Sequence, residues 1–256
     1  MGYVIAIANH KGGVGKTTSA INLGTLLALT GRKTLILDLD LQGTATSGLG
    51  VRKEDQAGLA GMLLEDKPPV DVCRPVYCED LFVLPLGKQA ATIEDEIRKN
   101  PLLMEKLESV LDRMAAAWDF VILDCPPTFG LIPNAAIRQA TYTCIPVQCE
   151  FFSVEGLTAM LKRIQELQTA GGRSPRVGIL LTMYTQGDES SDQVRKAVEQ
   201  NFRSLLLAPI VPRDPILSHA PLIGIPAVLQ APESRGARAY LELAWEVMKH
   251  ERQETG

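Results

Sequence analysis

Five short runs of β-branched and aliphatic residues recur along the 256-residue chain, and each run is apolar on both of its faces. They occupy residues 4–8, 34–37, 120–123, 143–147 and 177–181. Continuous apolarity is typical of strands that are covered on both sides, as in a parallel sheet between two layers of helices. Residues 81–84 and 206–211 are weaker candidates for further strands.

Helical periodicity separates these runs, at residues 17–29, 101–117, 154–168, 193–202 and 235–249. In the last of them Ala237, Tyr240, Ala244 and Val247 recur at the spacing of one buried helix face. Strands that alternate with helices predict an α/β fold, doubly wound, with a mostly parallel sheet and helices on both faces. Because no Pro/Ser/Gly-rich linker interrupts the chain, we expect residues 1–256 to form one domain.

Composition limits the classes of function. Thirty acidic and 26 basic residues give a formal charge of -4, which argues against a generally polycationic protein, so any contact with nucleic acid must be a local patch. The five cysteines show neither C-x-x-C spacing nor a nearby histidine pair, so neither a disulfide framework nor a zinc site is predicted. With no apolar run near the roughly 18 residues of a membrane span and no signal cleavage site, we expect a cytoplasmic protein.

The segment that carries the chemistry lies between the first predicted strand and the first predicted helix. It runs Asn9-His10-Lys11-Gly12-Gly13-Val14-Gly15-Lys16-Thr17-Thr18. Glycines there let backbone N–H groups approach phosphate oxygens, Lys16 reaches the β- and γ-phosphates, and the Thr17 hydroxyl can ligate Mg²⁺. His10 stands at the first glycine position of the strict G-x-x-x-x-G-K-[ST] pattern. The alternative, a glycine-rich turn with an exposed lysine, is disfavoured because strand, loop and helix signals agree.

The sequence Lys-Gly-Gly-Val-Gly-Lys-Thr-Thr, with its additional Lys11, resembles the deviant phosphate loop of the ParA/MinD group of ATPases. Residues 38–47 resemble the second acidic motif of that group, and residues 120–127 resemble its Walker B strand. Residues 146–150, 178–183, 212–213 and 234–237 resemble Soj-type chromosome- and plasmid-partition ParA proteins. The likeness extends from Tyr3 to about His250 and implies the P-loop NTPase type of fold.

The resemblance implies ATP as the substrate nucleotide and Mg²⁺ as its metal, in an ATPase that is slow and stimulated by a partner. The nucleotide-binding residues it implies are Lys11, Gly12, Gly13, Val14, Gly15, Lys16, Thr17, Thr18, Met183, Pro212 and Arg213. Thr17, Asp38 and Asp124 would act on the metal. Lys11, Lys16 and Asp40 would be catalytic, with Asp40 orienting the attacking water. The alternative for Asp40 is a helix or turn cap after its strand, which the neighbouring phosphate loop disfavours.

Lys11 has two interpretations. In a lone monomer, a lysine flanked by glycines would be a solvated surface charge. The resemblance instead implies that ATP joins two subunits face to face, and that each Lys11 crosses to the phosphates of the other subunit, as an arginine finger does elsewhere. Dimerisation and hydrolysis would then be coupled.

The resemblance also implies nonspecific binding of double-stranded DNA by basic residues of the ATP-bound dimer. Two arginines that Soj-type proteins use for DNA fall on Gly187 and Ile216 in this sequence. The remaining basic candidates are Arg173, Arg176, Arg195, Lys196 and Arg203. Acidic residues lie among them, so the alternative is a solvated helix face of mixed sign. We expect no helix-turn-helix extension ahead of the predicted ATPase domain, and hence no sequence-specific reading of an operator.

Partition predicts a ParB-type centromere-binding partner that stimulates hydrolysis, and a nucleoid-associated location in the cytoplasm. A close variant is an orphan ParA-like ATPase that positions a protein cargo through an adaptor. A MinD-like membrane switch would need an amphipathic tail, and residues 250–256 have no apolar face. An iron–sulfur ATPase would need paired cysteines, and only Cys125 is near the required place. A module without turnover is disfavoured by Lys11, Lys16, Asp40 and Asp124.

Overall fold

The computed structural model describes residues 2–52, 57–87, 90–150, 153–171 and 175–255. Its strands are β1 (Tyr3–Ile7), β2 (Thr34–Asp38), β3 (Arg74–Val76), β4 (Cys78–Leu84), β5 (Phe120–Asp124), β6 (Tyr142–Gln148), β7 (Arg176–Tyr184) and β8 (Leu206–Pro212). They form an eight-stranded sheet in the order β3-β4-β2-β5-β1-β6-β7-β8. The β3–β4 pair is antiparallel and the other neighbouring strands are parallel, which confirms the predicted mostly parallel sheet.

The helices are α1 (Lys16–Leu29), α2 (Thr44–Gly48), α3 (Gly58–Leu64), α4 (Pro69–Val72), α5 (Ala90–Lys99), α6 (Leu102–Ala117), α7 (Leu131–Gln139), α8 (Ser153–Thr169), α9 (Glu189–Phe202), α10 (Pro215–His219), α11 (Ala227–Gln230) and α12 (Arg235–Thr255), with a 3₁₀ turn at Ala220–Leu222. The five predicted helices correspond to α1, α6, α8, α9 and α12. No helix in the described part of the chain is long and apolar enough to cross a membrane.

Two predicted helix boundaries are wrong, for identifiable reasons. The helix predicted at 193–202 begins at Glu189, because the Asp188 carboxylate caps it by accepting a hydrogen bond from the backbone N–H of Ser191 at 2.7 Å. The helix predicted to end at 249 continues to Thr255. Glu251 is buried in that extension, where its carboxylate lies 3.1 Å from the Arg32 guanidinium.

The core consists of two apolar layers, one on each face of the sheet. Neighbouring residues of β1 point to opposite layers: Val4 packs with residues of α3, α6, α7 and α8, whereas Ile5 packs with residues of α1 and α12. This double coverage explains why the central strands are apolar on both faces. The short β3 was not predicted, since it is an antiparallel edge strand that contains Pro75.

Strand register determines the position of the site. In the parallel pairs, Ile7 of β1 and Asp38 of β2 are both register partners of Asp124 on β5. The carboxyl ends of the three strands therefore meet at one edge of the sheet. The glycine-rich loop, Asp38 and Asp124 converge there although they are far apart in the sequence.

Candidate functional site

The glycine-rich loop has a backbone conformation that requires its glycines. Gly13 and Gly15 have φ values of 75° and 90°, in the left-handed region that side chains disfavour. Flanking hydrogen bonds hold the loop: Asn9 Nδ2 donates to the Pro146 carbonyl at 2.8 Å, and Thr182 Oγ1 donates to the Val14 carbonyl at 2.9 Å. The loop leads directly into α1, which begins at Lys16, so the N-terminus of this helix faces the space that the loop encloses.

Lys16 lies inside the loop. Its side chain is buried, and its Nζ donates to the backbone carbonyl of Lys11 at 2.9 Å. Burial lowers the pKa of Lys16, while the nearby Asp124 carboxylate opposes that shift. The ammonium is thus held by one carbonyl in a site from which water is largely excluded, which suits it to bind an anionic phosphate group.

Two buried carboxylates face each other across β2 and β5. Asp38 Oδ2 accepts hydrogen bonds from Thr46 Oγ1 at 2.6 Å and from the Thr46 backbone N–H at 2.8 Å. Asp124 Oδ2 accepts from Thr17 Oγ1 at 2.8 Å, but its buried Oδ1 has no hydrogen-bond partner among the described residues. Burial raises the pKa of Asp124 well above its usual range, and the Asp38 carboxylate raises it further. Such a pair favours a cation beside it.

These residues fit Mg²⁺. The metal prefers oxygen ligands and usually retains waters and substrate phosphates in its coordination shell. Asp124 Oδ1 and Thr17 Oγ1 supply oxygens at the mouth of the loop, and Asp38 adds negative charge. Within the described residues, no group of three or more His, Cys, Asp or Glu is placed to hold a metal without other ligands. The expected metal would therefore share its coordination with phosphate oxygens and water.

Asp40 follows β2 at the rim of this site and is half-exposed. Its Oδ1 accepts a hydrogen bond from the Gln42 backbone N–H at 2.9 Å, so the turn-capping interpretation describes one of its contacts. Asp40 also lies in the wall of a cavity of about 470 Å³, together with Leu41 and Pro127. Half-exposure leaves room for a water at the Asp40 carboxylate.

Lys11 is half-buried, and its Nζ lies 3.5 Å from Ser153 Oγ at the start of α8. Its ammonium forms no ion pair within the described ranges. Neighbouring His10 stacks on Phe129, with ring centroids 5.2 Å apart. Lys11 is therefore a cation at the edge of the loop, and the described residues of its own chain give it no countercharge.

A second cavity, of about 200 Å³, borders the carboxyl-terminal part of the loop at Gly15. It brings together five of the predicted nucleotide-binding residues, Gly15, Thr18, Met183, Pro212 and Arg213. Met183 has a φ of 54°, unusual for a side-chain-bearing residue, at the carboxyl end of β7. Further residues line this cavity and were not predicted from the sequence, including Thr182, Asp214, Leu217 and Tyr240. Asp214 could have been suspected, because it directly follows Arg213 and precedes a helix-starting proline.

The predicted DNA-binding residues do not form one patch. Arg173 lies outside the described residues. Arg176 begins β7 and is therefore at the sheet edge opposite the phosphate loop. Arg195 and Lys196 lie on α9, and Arg203 follows its last residue, about 12 Å along the axis from Arg195.

Gly187 and Ile216 are the positions at which the family arginines are absent. They lie at the other end of the molecule from Arg176, beyond the carboxyl ends of β7 and β8.

Cys125 is buried beside Asp124, and burial raises the pKa of its thiol. It is thus a small apolar residue of the core rather than an exposed metal ligand.

Comparison with known proteins identifies the family. A family model described as an AAA domain matches residues 2–175. The chain is 39% identical over 249 residues to the sporulation initiation inhibitor protein Soj of Bacillus subtilis, covering 96% of this chain and 98% of that protein. It is 37% identical over 257 residues to the chromosome partitioning protein ParA of Caulobacter vibrioides, covering 97% and 95%. The chain belongs to the ParA/Soj family of P-loop ATPases.

The fold of this ParA/Soj ATPase recurs in a solved structure of cobyrinic acid a,c-diamide synthase from Mycobacterium smegmatis with bound ADP and magnesium. The two chains superpose with a TM-score of 0.84 at 29% identity, over 98% of this chain and 96% of the other. That protein binds a nucleotide and magnesium on the same architecture.

Replacing Thr182 with valine should loosen the phosphate loop of this ParA/Soj ATPase. The substitution removes the buried hydrogen bond to the Val14 carbonyl and leaves that carbonyl without a donor. We expect the free energy of unfolding to fall by about 1–3 kcal/mol, measured by denaturant titration. ATP affinity, measured by calorimetry, should fall by about tenfold, equivalent to about 1.4 kcal/mol.

The matched control is Thr158→Val. Thr158 is exposed, and among the described residues its hydroxyl bonds to the carbonyl of Val154, within its own helix. This variant should retain both stability and ATP affinity. Equal effects of the two substitutions would contradict the role assigned to Thr182.

Proposed function

We propose that this chain acts in chromosome or plasmid partition, as a single ATPase domain that hydrolyses ATP, dimerises around it and binds DNA nonspecifically in the dimeric form. One observation carries the proposal: the phosphate loop, the buried Asp38–Asp124 pair and the half-exposed Asp40 meet at one edge of the sheet. Its relatives Soj and ParA, matched along nearly their whole length, support partition as the process served.

Different residues of the chain have different roles in ATP hydrolysis. Lys16 binds the transferring phosphoryl group and neutralises charge on it. Thr17, Asp124 and Asp38 would hold Mg²⁺, which when bound would neutralise charge on the phosphate oxygens. Asp40 orients the attacking water. Phosphoryl transfer needs mainly this positioning and charge stabilisation, and little covalent chemistry.

Lys11 makes the site depend on a second subunit. Its ammonium is not paired with a carboxylate within the described residues, and it lies at the exposed rim of the loop beside the exposed Gly12 and Gly13. In a face-to-face dimer it would reach the partner's phosphates. ATP would then join the subunits, and hydrolysis would separate them.

Dimerisation doubles the number of basic residues that can contact one DNA duplex. This doubling is important because the formal charge of the whole chain is -4, so DNA binding must rely on a local positive patch. Binding to duplex DNA depends steeply on the number of phosphates contacted. A monomer with few contacts would bind weakly, and the dimer would bind well. A ParB-type protein would stimulate hydrolysis and reset the cycle. A protein that binds DNA in this cycle would lie in the cytoplasm on the nucleoid. The exposed end of α12 is polar, at Arg252, Gln253 and Glu254, which gives no support for membrane attachment.

DNA binding measured with ATP, with ADP and without nucleotide tests this function. We expect tight binding of unrelated duplexes only with ATP and Mg²⁺, and a log affinity that decreases linearly with log salt, by about 0.9 for each phosphate contacted. Anisotropy of labelled duplexes of different sequence provides the measurement. Equal affinity in the three nucleotide states would contradict the proposal.

A further inference from the structure

An open groove of about 750 Å³ is bounded by the carboxyl ends of β7 and β8 and by the start of α12. Its cationic lining residues are Arg213, Arg235 and Arg238, and Glu242 is the acidic residue that lines it. We call this surface the arginine groove. Pro212 and Arg213 line both the arginine groove and the nucleotide cavity, so the two sites share a wall.

The arginines of the groove are available for a ligand. Arg235 is exposed and forms no ion pair within the described residues. The Arg213 guanidinium is 3.5 Å from the Glu150 carboxylate, and Arg238 pairs with Glu233, but the side chains of both arginines are more than half exposed. Exposed ion pairs of this kind contribute little to stability. Phosphate oxygens can therefore replace Glu150 and Glu233 at small cost.

Arg235 and Arg238 lie where their positive charges do not stabilise α12. Arg235 is the first residue of that helix, Arg238 lies within its first turn, and no acidic residue is present there. Cations are unfavourable at a helix N-terminus, where the backbone already presents partial positive charge. An anion bound in the groove would relieve this repulsion.

The positive surface extends onto α9. The Arg195 guanidinium lies 5.9 Å from the centre of the Tyr184 ring, and Tyr184 forms part of the groove wall. Arg195 pairs with Glu199 at 3.7 Å, a long contact at the surface. Three arginines therefore line the groove and Arg195 lies beside its wall, although the chain as a whole is acidic.

We propose that the arginine groove binds the phosphodiester backbone of duplex DNA, with Arg235 and Arg238 as principal contacts. This inference rests on the proposed function, and it names the surface through which the ATP-bound dimer would bind DNA. Guanidinium groups match phosphate oxygens in bidentate geometry, and contacts to the backbone carry no sequence preference.

A membrane surface fits the groove less well. The large apolar side chains that are most exposed in the described part of α12, Leu241 and Trp245, do not line the groove. Helices that bind membranes need a continuous apolar face beside their cations.

The test is the double variant Arg235→Ala/Arg238→Ala in the full chain with ATP and Mg²⁺. Both side chains are exposed, so we expect unchanged ATP binding and unchanged dimerisation. A dimer would lose four phosphate contacts, so the slope of log affinity against log salt should become shallower by about 3–4. At about 0.1 M salt, affinity for a random duplex should fall at least 100-fold.

The matched control is Arg176→Ala/Arg203→Ala, which removes the same charge from residues outside the groove. It should leave affinity within about threefold of wild type, since long-range charge effects are screened. The charge-conserving variant Arg235→Lys/Arg238→Lys should retain most of the salt slope, because point charges still neutralise phosphates.

Three outcomes would overturn the inference. The first is wild-type affinity and slope in the Arg235→Ala/Arg238→Ala variant, and the second is a loss of DNA binding matched by an equal loss of ATP binding. The third is unchanged DNA binding with loss of binding to phosphatidylglycerol vesicles, which would assign the groove to a membrane. Failure of the wild-type protein to bind DNA with ATP would instead refute the proposed function itself.

Discussion

Replacing Lys11 with alanine should abolish ATP-dependent dimerisation while ATP binding by the single subunit persists. The substitution removes an ammonium whose side-chain contact in its own chain is Ser153 Oγ at 3.5 Å. It leaves the Lys11 backbone carbonyl, which accepts the hydrogen bond from Lys16 Nζ. The loop should therefore still bind nucleotide. We expect a monomer by light scattering with a nonhydrolysable ATP analogue and Mg²⁺, and a loss of turnover of about 10³-fold or more, as when an arginine finger is removed.

Lys16→Ala is the matched comparison, since it removes the other lysine of the same loop. It removes the buried cation beside the Asp38–Asp124 pair, so ATP binding itself should be lost in calorimetry. A Lys11→Ala protein that still forms dimers would show that Lys11 is a solvated surface charge. The coupling between ATP and assembly would then need another origin.

Asp40→Ala should trap an ATP-bound dimer. Without the Asp40 carboxylate the attacking water loses its orienting group, and groups of this kind contribute about 10²–10⁴-fold to rate. Phosphate release should fall by about that factor while ATP binding and dimerisation remain. Sizing in the presence of ATP should show a dimer that persists over many wild-type turnover times.

Asp40→Asn separates catalysis from turn capping. The asparagine carbonyl can still accept the hydrogen bond from the Gln42 backbone N–H, which Asp40 Oδ1 accepts at 2.9 Å. It carries no negative charge. We expect Asp40→Asn to be as slow as Asp40→Ala but more stable toward denaturant. Normal phosphate release by either variant would remove Asp40 from the mechanism.

The sheet and the phosphate end of the site could be predicted from sequence because their signals are local. Strands covered on both faces are continuously apolar, and the glycine-rich loop with Lys16 and Thr17 is one contiguous segment. Asp38 and Asp124 each end such a strand, so a parallel sheet places them at one edge. Thr182, by contrast, joins the site only because β7 ends beside the loop and brings its hydroxyl to the Val14 carbonyl.

The basic surfaces could not be predicted in this way. Arg176 and Arg203 are near Arg195 in the sequence, but Arg176 is at the far end of β7 from the groove, and Arg203 lies about 12 Å along the α9 axis from Arg195. Arg213 and Arg235 are 22 residues apart in the sequence, yet they line one groove, because α12 packs against β8. A run of basic residues shows only that they are neighbours in the sequence. Whether they form one binding surface depends on how the strands and helices are arranged in the fold.

The wall that Pro212 and Arg213 provide to both cavities has a thermodynamic consequence. Two ligands that contact the same two residues do not bind independently when each ligand prefers one particular position of those residues. Reciprocity then holds: whatever factor the first ligand adds to the affinity of the second, the second must return to the first. If the ATP-bound form binds DNA more tightly, as expected here, a duplex in the groove would raise the affinity for ATP by the same factor.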